Sequence, residues 1–279
     1  MITKAQGVSR QFGLQLFPCR MKTGGLFRKS AVKKPKKMKK VLGIVQARVG
    51  STRLPRKVLL PLNGKPAIVQ IMNRMLACQD LETVYLAIPD SEENDILARL
   101  AEENGWDFFR GSEDDVLSRF SGIASIETPD IIARINADNF AICPEVVSHG
   151  IRFLIGGEFD VCTPFINNTY PFGVGAEVST AECLERIVVE AQGNDSKYRE
   201  HIYFYAYDHP NGFHIGLLNA PDRLRRPDID ISVDTEDDYR VLQHLYAHFI
   251  GQETHFTLME LIEIWDSFGL DKKHHLVQG

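Results

Sequence analysis

Short apolar stretches alternate with amphipathic ones along the middle of this chain, and that rhythm limits the available folds more than any other feature. Residues 41–46, 83–88, 106–109 and 131–135 each read as a buried strand. Between them the spacing predicts helices over 66–78, 92–104 and 113–126. A parallel strand pair needs a crossover long enough to hold a helix, so this alternation is the pattern of an α/β protein with a mainly parallel sheet. Local signals agree. Ser91, or Asp90 with Glu93, suits the start of the second helix and Gly105 its end. Ser112 with Asp115 suits the start of the third, and Pro144 the first residue of a fourth running toward Leu154.

After residue 156 the rhythm changes. Residues 160–165, 172–178 and 214–219 read as strands, with one helix from Glu182 behind Ser179 and another over 197–207. This suggests a smaller inserted lobe at about 156–220 within a single domain over 41–279. A short strand at 231–233 and a helix over 236–249, capped by Thr235, then return to the main pattern.

Charge is unevenly placed. The first forty residues hold 12 Lys or Arg and no acidic residue, which leaves 20 basic against 37 acidic residues in the rest. A main body that acidic argues against a general nucleic-acid binder, whose footprint would be a basic face. The basic segment lacks periodicity and an uninterrupted apolar core, so it reads as a disordered extension rather than a signal peptide, with a targeting peptide or a polybasic arm as the competing readings and Met38 a natural beginning for the first strand. The five cysteines are scattered without a CxxC pair and read as reduced thiols of a cytoplasmic protein. No apolar run approaches the roughly 18 residues of a membrane span.

Against that acidic background, the stretch ARVGSTRLPRK after the first strand stands out: four cations, a glycine and two hydroxyls, with no acid. Two readings fit it. It is a solvated bend, or it is a cradle whose backbone N–H groups, with Arg48, Arg53 and Lys57, face phosphate oxygens. It carries neither GxxxxGK[ST] nor GxGxxG, and Gly173-Val174-Gly175 sits in the wrong context for a dinucleotide site. Asp138 emerges at the carboxyl end of the fourth strand, where ligands of open α/β sheets bind, and Asp234 follows the short strand at 231–233. Each is either a turn residue or a ligand for Mg²⁺, which is held by one or two carboxylates together with phosphate and water.

IVQARVGSTRLPRKVLLPLNGKP, FRGSEDDVLSRF, ARINAD, REHIYFYAYDHP and SVDTEDDYRVL occur in that order. Together they resemble the sugar cytidylyltransferases, in particular the spore-coat polysaccharide branch related to the acylneuraminate and 3-deoxy-manno-octulosonate enzymes. The resemblance covers about residues 41–250. It implies a Rossmann-like nucleotide-diphospho-sugar transferase fold, Mg²⁺ dependence, a homodimer, and a reaction joining CTP to a sugar or sugar acid with release of pyrophosphate. It implies that Arg53, Lys57 and Asp138 form the catalytic set. Ala47, Arg48, Gly50, Ser51, Arg53, Lys57 and Asp138 would contact the nucleotide, with Arg110, Gly111 and Ser112 around the base. Asp138 and Asp234 would hold the metal, and Tyr170, Glu177, Arg199, Glu200 and His201 would face the sugar or the second subunit.

Two positions depart from these relatives. Phe140 stands where a proline is usual, and Arg56 where glycine is common. A glycosyltransferase of similar architecture is the competing reading, for which Asp228–Ile229–Asp230 is the one candidate DxD motif.

Overall fold

The computed structural model describes residues 39–191 and 196–269. Most of the basic extension, and the run Lys272–His275, whose sequence reads as a solvated tail, lie outside the described residues. Strand β1 (Val41–Gln46) has almost no exposed surface and lies in the interior of the sheet. The short hairpin β2 (Pro61–Leu62) and β3 (Lys65–Pro66) follows. It turns on Asn63 and Gly64, both at positive φ (48° and 77°), the Asn-Gly geometry that matches strand twist. Then come β4 (Thr83–Pro89), β5 (Asp107–Gly111), β6 (Ile131–Asn136), β7 (Val161–Thr163), β8 (Glu177–Thr180) and β9 (Ile215–Leu217).

Seven of these strands form one sheet in the order β5-β4-β1-β6-β8-β7-β9. The first four are parallel; β8 runs antiparallel to both β6 and β7, and β7 and β9 are parallel to each other. The expected α/β class and mainly parallel sheet are present. Residues 156–220, expected as an inserted lobe, join this sheet through β7, β8 and β9.

Alternation along the strands divides the core into two layers. Val41, Val45, Ile131, Ala133 and Ile135 pack on one face against α1 (Ala67–Leu76), α2 (Asp95–Asn104), α4 (Pro144–Gly157), α8 (Glu236–Ala247) and α9 (Leu258–Ser267). Leu42, Ile44 and Ile132 pack on the other against α3 (Val116–Glu127), α5 (Ala181–Glu190) and the short helices α6 (Ser196–Glu200) and α7 (Phe204–Asp208).

Several boundaries differ from expectation. The helix expected over 197–207 breaks at 201–203, where Ile202 and Tyr203 turn fully into the core. The strand expected at 172–178 shortens to β8, because Gly173 lets residue 172 bridge Asp230 instead: its φ is 93°, and a Cβ there would meet Ser232 N at 2.7 Å. That contact also makes the Gly173–Gly175 motif structural. Residues 231–233 hold no ladder and so are not a strand. Helix α9 was not expected, although Thr257 and Glu260 form a full capping box at its start.

Candidate active site

A cleft of about 640 Å³ opens where the carboxyl ends of β1 and β6 lie side by side. Adjacent parallel strands put Gln46 opposite Asn136, so the residues that follow each strand face one another across the cleft mouth. From β6, Arg134 and Asn136 line it, as the two-residue period requires, and Asp138 joins them from the turn that follows. From β1 comes the basic loop, with Arg48, Gly50, Ser51, Thr52, Arg53 and Lys57.

The loop is held from below. Val49 N–H donates to Asn94 Oδ1 at 2.9 Å, a fully buried amide, and Ala47 N–H donates to Ala87 O. The N–H groups of Gly50, Ser51, Thr52 and Arg53 have no hydrogen-bond partner among the described residues. An exposed row of unpaired donors beside guanidinium groups is suited to an anion. The loop ends at Arg56, which adopts φ 56°, ψ 28° before a 3-10 turn over Lys57–Leu59. That left-handed geometry gives a physical reason for glycine being common at this position.

Asp138 is positioned by its neighbours' backbone. Arg74, fully buried, donates from Nε to Ile142 O at 2.6 Å and from Nη2 to Phe256 O at 3.0 Å. Tyr246 Oη donates to Phe140 O at 2.5 Å, and Val233 N–H to Asp138 O at 3.1 Å. Phe140 itself has no exposed surface, and its side chain packs in the core rather than in the cleft. The last of these hydrogen bonds draws Asp234 toward Asp138. Lys57 Nζ sits between them, 3.0 Å from Asp234 Oδ1, 3.9 Å from Asp138 Oδ2 and 2.9 Å from Val233 O. Arg53 takes the other oxygen, Asp234 Oδ2, at 2.8 Å. Burial raises the Asp138 carboxyl above its ordinary value, the neighbouring Asp234 adds to this, and Lys57 opposes it.

Deeper in, Arg134 Nη1 donates to Glu177 Oε2 at 2.7 Å and its Nε to Gln46 Oε1 at 2.9 Å. Tyr207 Oη donates to Glu177 Oε1 at 2.7 Å. Burial, with the adjacent Glu177, raises the Tyr207 phenol well above its ordinary value.

The other expected site residues separate into two groups. His201 and Glu200 line the cleft, with Glu200 3.8 Å from Arg48 and His201 stacked on Phe204. Arg199 is beside the cleft and faces Asp115 at 3.5 Å. Tyr170 is buried away from it, paired with His149 Nδ1 at 2.6 Å. Arg110 turns away to Asp95 (2.7 Å) and Asp90 (3.0 Å), which raise its pKa. Gly111 packs under Arg119: a Cβ there would lie 2.9 Å from Arg119 Cγ. Ser112 caps locally, accepting from Asp115 N–H.

Sequence reasoning missed Arg119 and Arg134. Arg119 lines the cleft with only 2% of its surface exposed and donates to the carbonyls of Ser112 and Glu113. Burial lowers its pKa, with Arg48 adding to the effect. Arg134 was legible in principle, since an arginine inside an otherwise apolar strand, two residues before its end at Asn136, stands on the same face as that residue.

This arrangement coincides with what the sequence matches. The cytidylyltransferase family model spans residues 42–274. The chain belongs to the cytidylyltransferase family. The spore coat polysaccharide biosynthesis protein SpsF of Bacillus subtilis is 33% identical over 235 residues, covering 81% of this chain and 94% of its own. A solved cytidylyltransferase from Leptospira borgpetersenii serovar Hardjo-bovis superposes with a TM-score of 0.76 at 25% identity, over 86% of this chain and 98% of its own. A CMP:2-keto-3-deoxy-manno-octonic acid synthetase, solved with CTP, has a TM-score of 0.57 at 17% identity, over 75% and 99%, and shares the fold. As a cytidylyltransferase family member the protein is an enzyme of nucleotidyl transfer, and no helix among the described residues is long and apolar enough to cross a membrane.

Proposed function

We propose that this cytidylyltransferase family member joins CTP to a sugar or sugar acid, giving a CMP-sugar and pyrophosphate for cell-surface polysaccharide synthesis, with Mg²⁺ as its metal. The observation that carries the reading is the meeting of Arg53 and Lys57 with Asp138 and Asp234 at the mouth of one cleft. The SpsF relative and the CTP complex of the structural neighbour support the substrate classes.

The residues fit a divalent cation. Asp138 and Asp234 already hold one positive charge between them, and no third acidic or imidazole ligand joins them among the described residues. Two carboxylates with phosphate and water completing the shell is the donor set Mg²⁺ takes. When bound, the metal would neutralise charge developing on the α-phosphate. The chain's own residues do the rest. The free N–H groups of residues 50–53 bind and orient the triphosphate, and Arg53 and Lys57 neutralise the departing pyrophosphate. Arg134, fixed by Glu177 and Gln46, supports the cleft floor, and His201 and Glu200 face the acceptor sugar. In this reading Asp138, just beyond the carboxyl end of β6, would stand beside the phosphorus attacked by the sugar hydroxyl.

The homodimer belongs to the same proposal. Ile166, Phe172, Val189 and Phe204, all within 156–220, are exposed large hydrophobic residues suited to a subunit contact. A glycosyltransferase reading is weaker, because Asp228 pairs with Arg226 and Asp230 accepts from Ser232, and neither lines the cleft.

The test is pyrophosphate release by the full chain with Mg²⁺, each nucleoside triphosphate and a panel of sugar acids and sugar phosphates. Release with CTP and one sugar, absent in Asp138→Ala, is expected. Release with another triphosphate alone would overturn the CTP assignment.

A further inference from the structure

Both oxygens of Asp234 are already taken. Lys57 Nζ is 3.0 Å from Oδ1, and a guanidinium nitrogen of Arg53 is 2.8 Å from Oδ2. Lys57 does not reach Asp234 as a surface side chain would. Its own side chain is 15% exposed, it donates at 2.9 Å to Val233 O, and it lies 3.9 Å from Asp138 Oδ2. One ammonium therefore has two carboxylates and a carbonyl around it, a set of hard oxygens that a divalent cation would also choose. A cation and an ammonium cannot share that position, since two like charges would be held at contact distance in a half-buried site.

We propose that the Lys57 ammonium occupies the divalent-cation position between Asp138 and Asp234 in the nucleotide-free protein, so that the metal enters only with the triphosphate that draws Lys57 and Arg53 away. This rests on the metal reading proposed above and adds an order to it. The triphosphate supplies what both cations lose on leaving Asp234: phosphate oxygens suit an ammonium as a point charge and a guanidinium as a fork. It also supplies the metal ligands that two carboxylates lack. Nucleotide and metal binding are thus coupled through an exchange of ion-pair partners, with no movement of the backbone required. The protein stays closed to free divalent cations and does not fill its site with metal when no substrate is present.

Mn²⁺ is the probe, and the readout is the free-ion paramagnetic resonance signal during titration of the full chain, with no turnover involved. Without nucleotide, Lys57→Met is expected to bind Mn²⁺ at least about tenfold more tightly than the unaltered protein, as removal of a contact cation implies. Arg53→Met, at a largely exposed position, is expected to shift it in the same direction by less and covers the case in which Lys57→Met folds poorly. Arg48→Met removes a cleft cation that faces Glu200 rather than either Asp, and is expected to change Mn²⁺ affinity less than about twofold. Adding Asp234→Asn to Lys57→Met is expected to abolish the gain.

Equal affinities in the unaltered protein and both cation variants, with binding still lost on Asp234→Asn, overturn the place-holder role and leave the metal site standing. A gain in Lys57→Met that survives Asp234→Asn puts the ion elsewhere and overturns the metal reading itself.

Discussion

Arg134 and Asp138 are four residues apart on one strand and its extension, line one cleft, and belong to two different kinds of ion pair. Arg134 and Glu177 have side chains 5% and 6% exposed, and each is further fixed, by Gln46 on one side and Tyr207 on the other. At the mouth, Arg53 and Asp234 are 66% and 32% exposed, and Lys57 shares itself between two carboxylates. Taking charges out of water makes the inner pair expensive to break and unable to exchange partners. The outer Arg53–Asp234 pair contributes roughly 0–1 kcal/mol to stability, because solvent screens the exposed guanidinium. The same chemistry therefore builds a floor in one place and a replaceable set of partners in the other. Only the second is available to a ligand.

Four variants and conditions sharpen that division. The largest effect falls on activity at the mouth: Asp138→Ala is expected to cut pyrophosphate release by about a thousandfold or more, in steady-state assays, while thermal unfolding moves by only a few degrees. At the inner pair the effect reverses. Glu177→Ala leaves Arg134 buried and unpaired and is expected to cost roughly 3–5 kcal/mol in urea unfolding. Replacing both partners, Arg134→Met with Glu177→Leu, should recover most of that loss, because apolar groups carry no desolvation penalty; a double variant as unstable as the single would refute the explanation. The smallest effect is that of salt. Raising it from about 0.05 M to about 0.5 M should weaken CTP binding several-fold in calorimetric titration, with the unfolding midpoint in urea nearly unchanged.

The parallel half of the sheet was legible from sequence and the other half less so. β1, β4, β5 and β6 are apolar runs between helices with ordinary caps, and each expected strand lies within a few residues of the observed one. The segment after residue 156 alternates less cleanly because β7 and β9 have only three residues each, too few to establish a period. Gly173 and the core-facing turn at Ile202 and Tyr203 interrupt patterns that continue in sequence. At the site, position alone left the basic loop, Asp138 and Asp234 open between turn and ligand roles, and the resemblance to the cytidylyltransferases grouped the two carboxylates with Arg53 and Lys57; the cleft brings all four side chains together. That Tyr170 is directed to His149 and Arg110 to Asp90 and Asp95 depends on side-chain direction, which one-dimensional spacing does not carry.

Whether the cations at the mouth exchange partners can be seen in a crystal of the full chain grown with CTP and Mn²⁺. The expected result is an anomalous peak touching both Asp138 and Asp234, the Lys57 ammonium moved from Asp234 onto the triphosphate, and the Arg134–Glu177 pair unchanged. A peak away from those two carboxylates, or Lys57 still on Asp234 with nucleotide and metal bound, would contradict it.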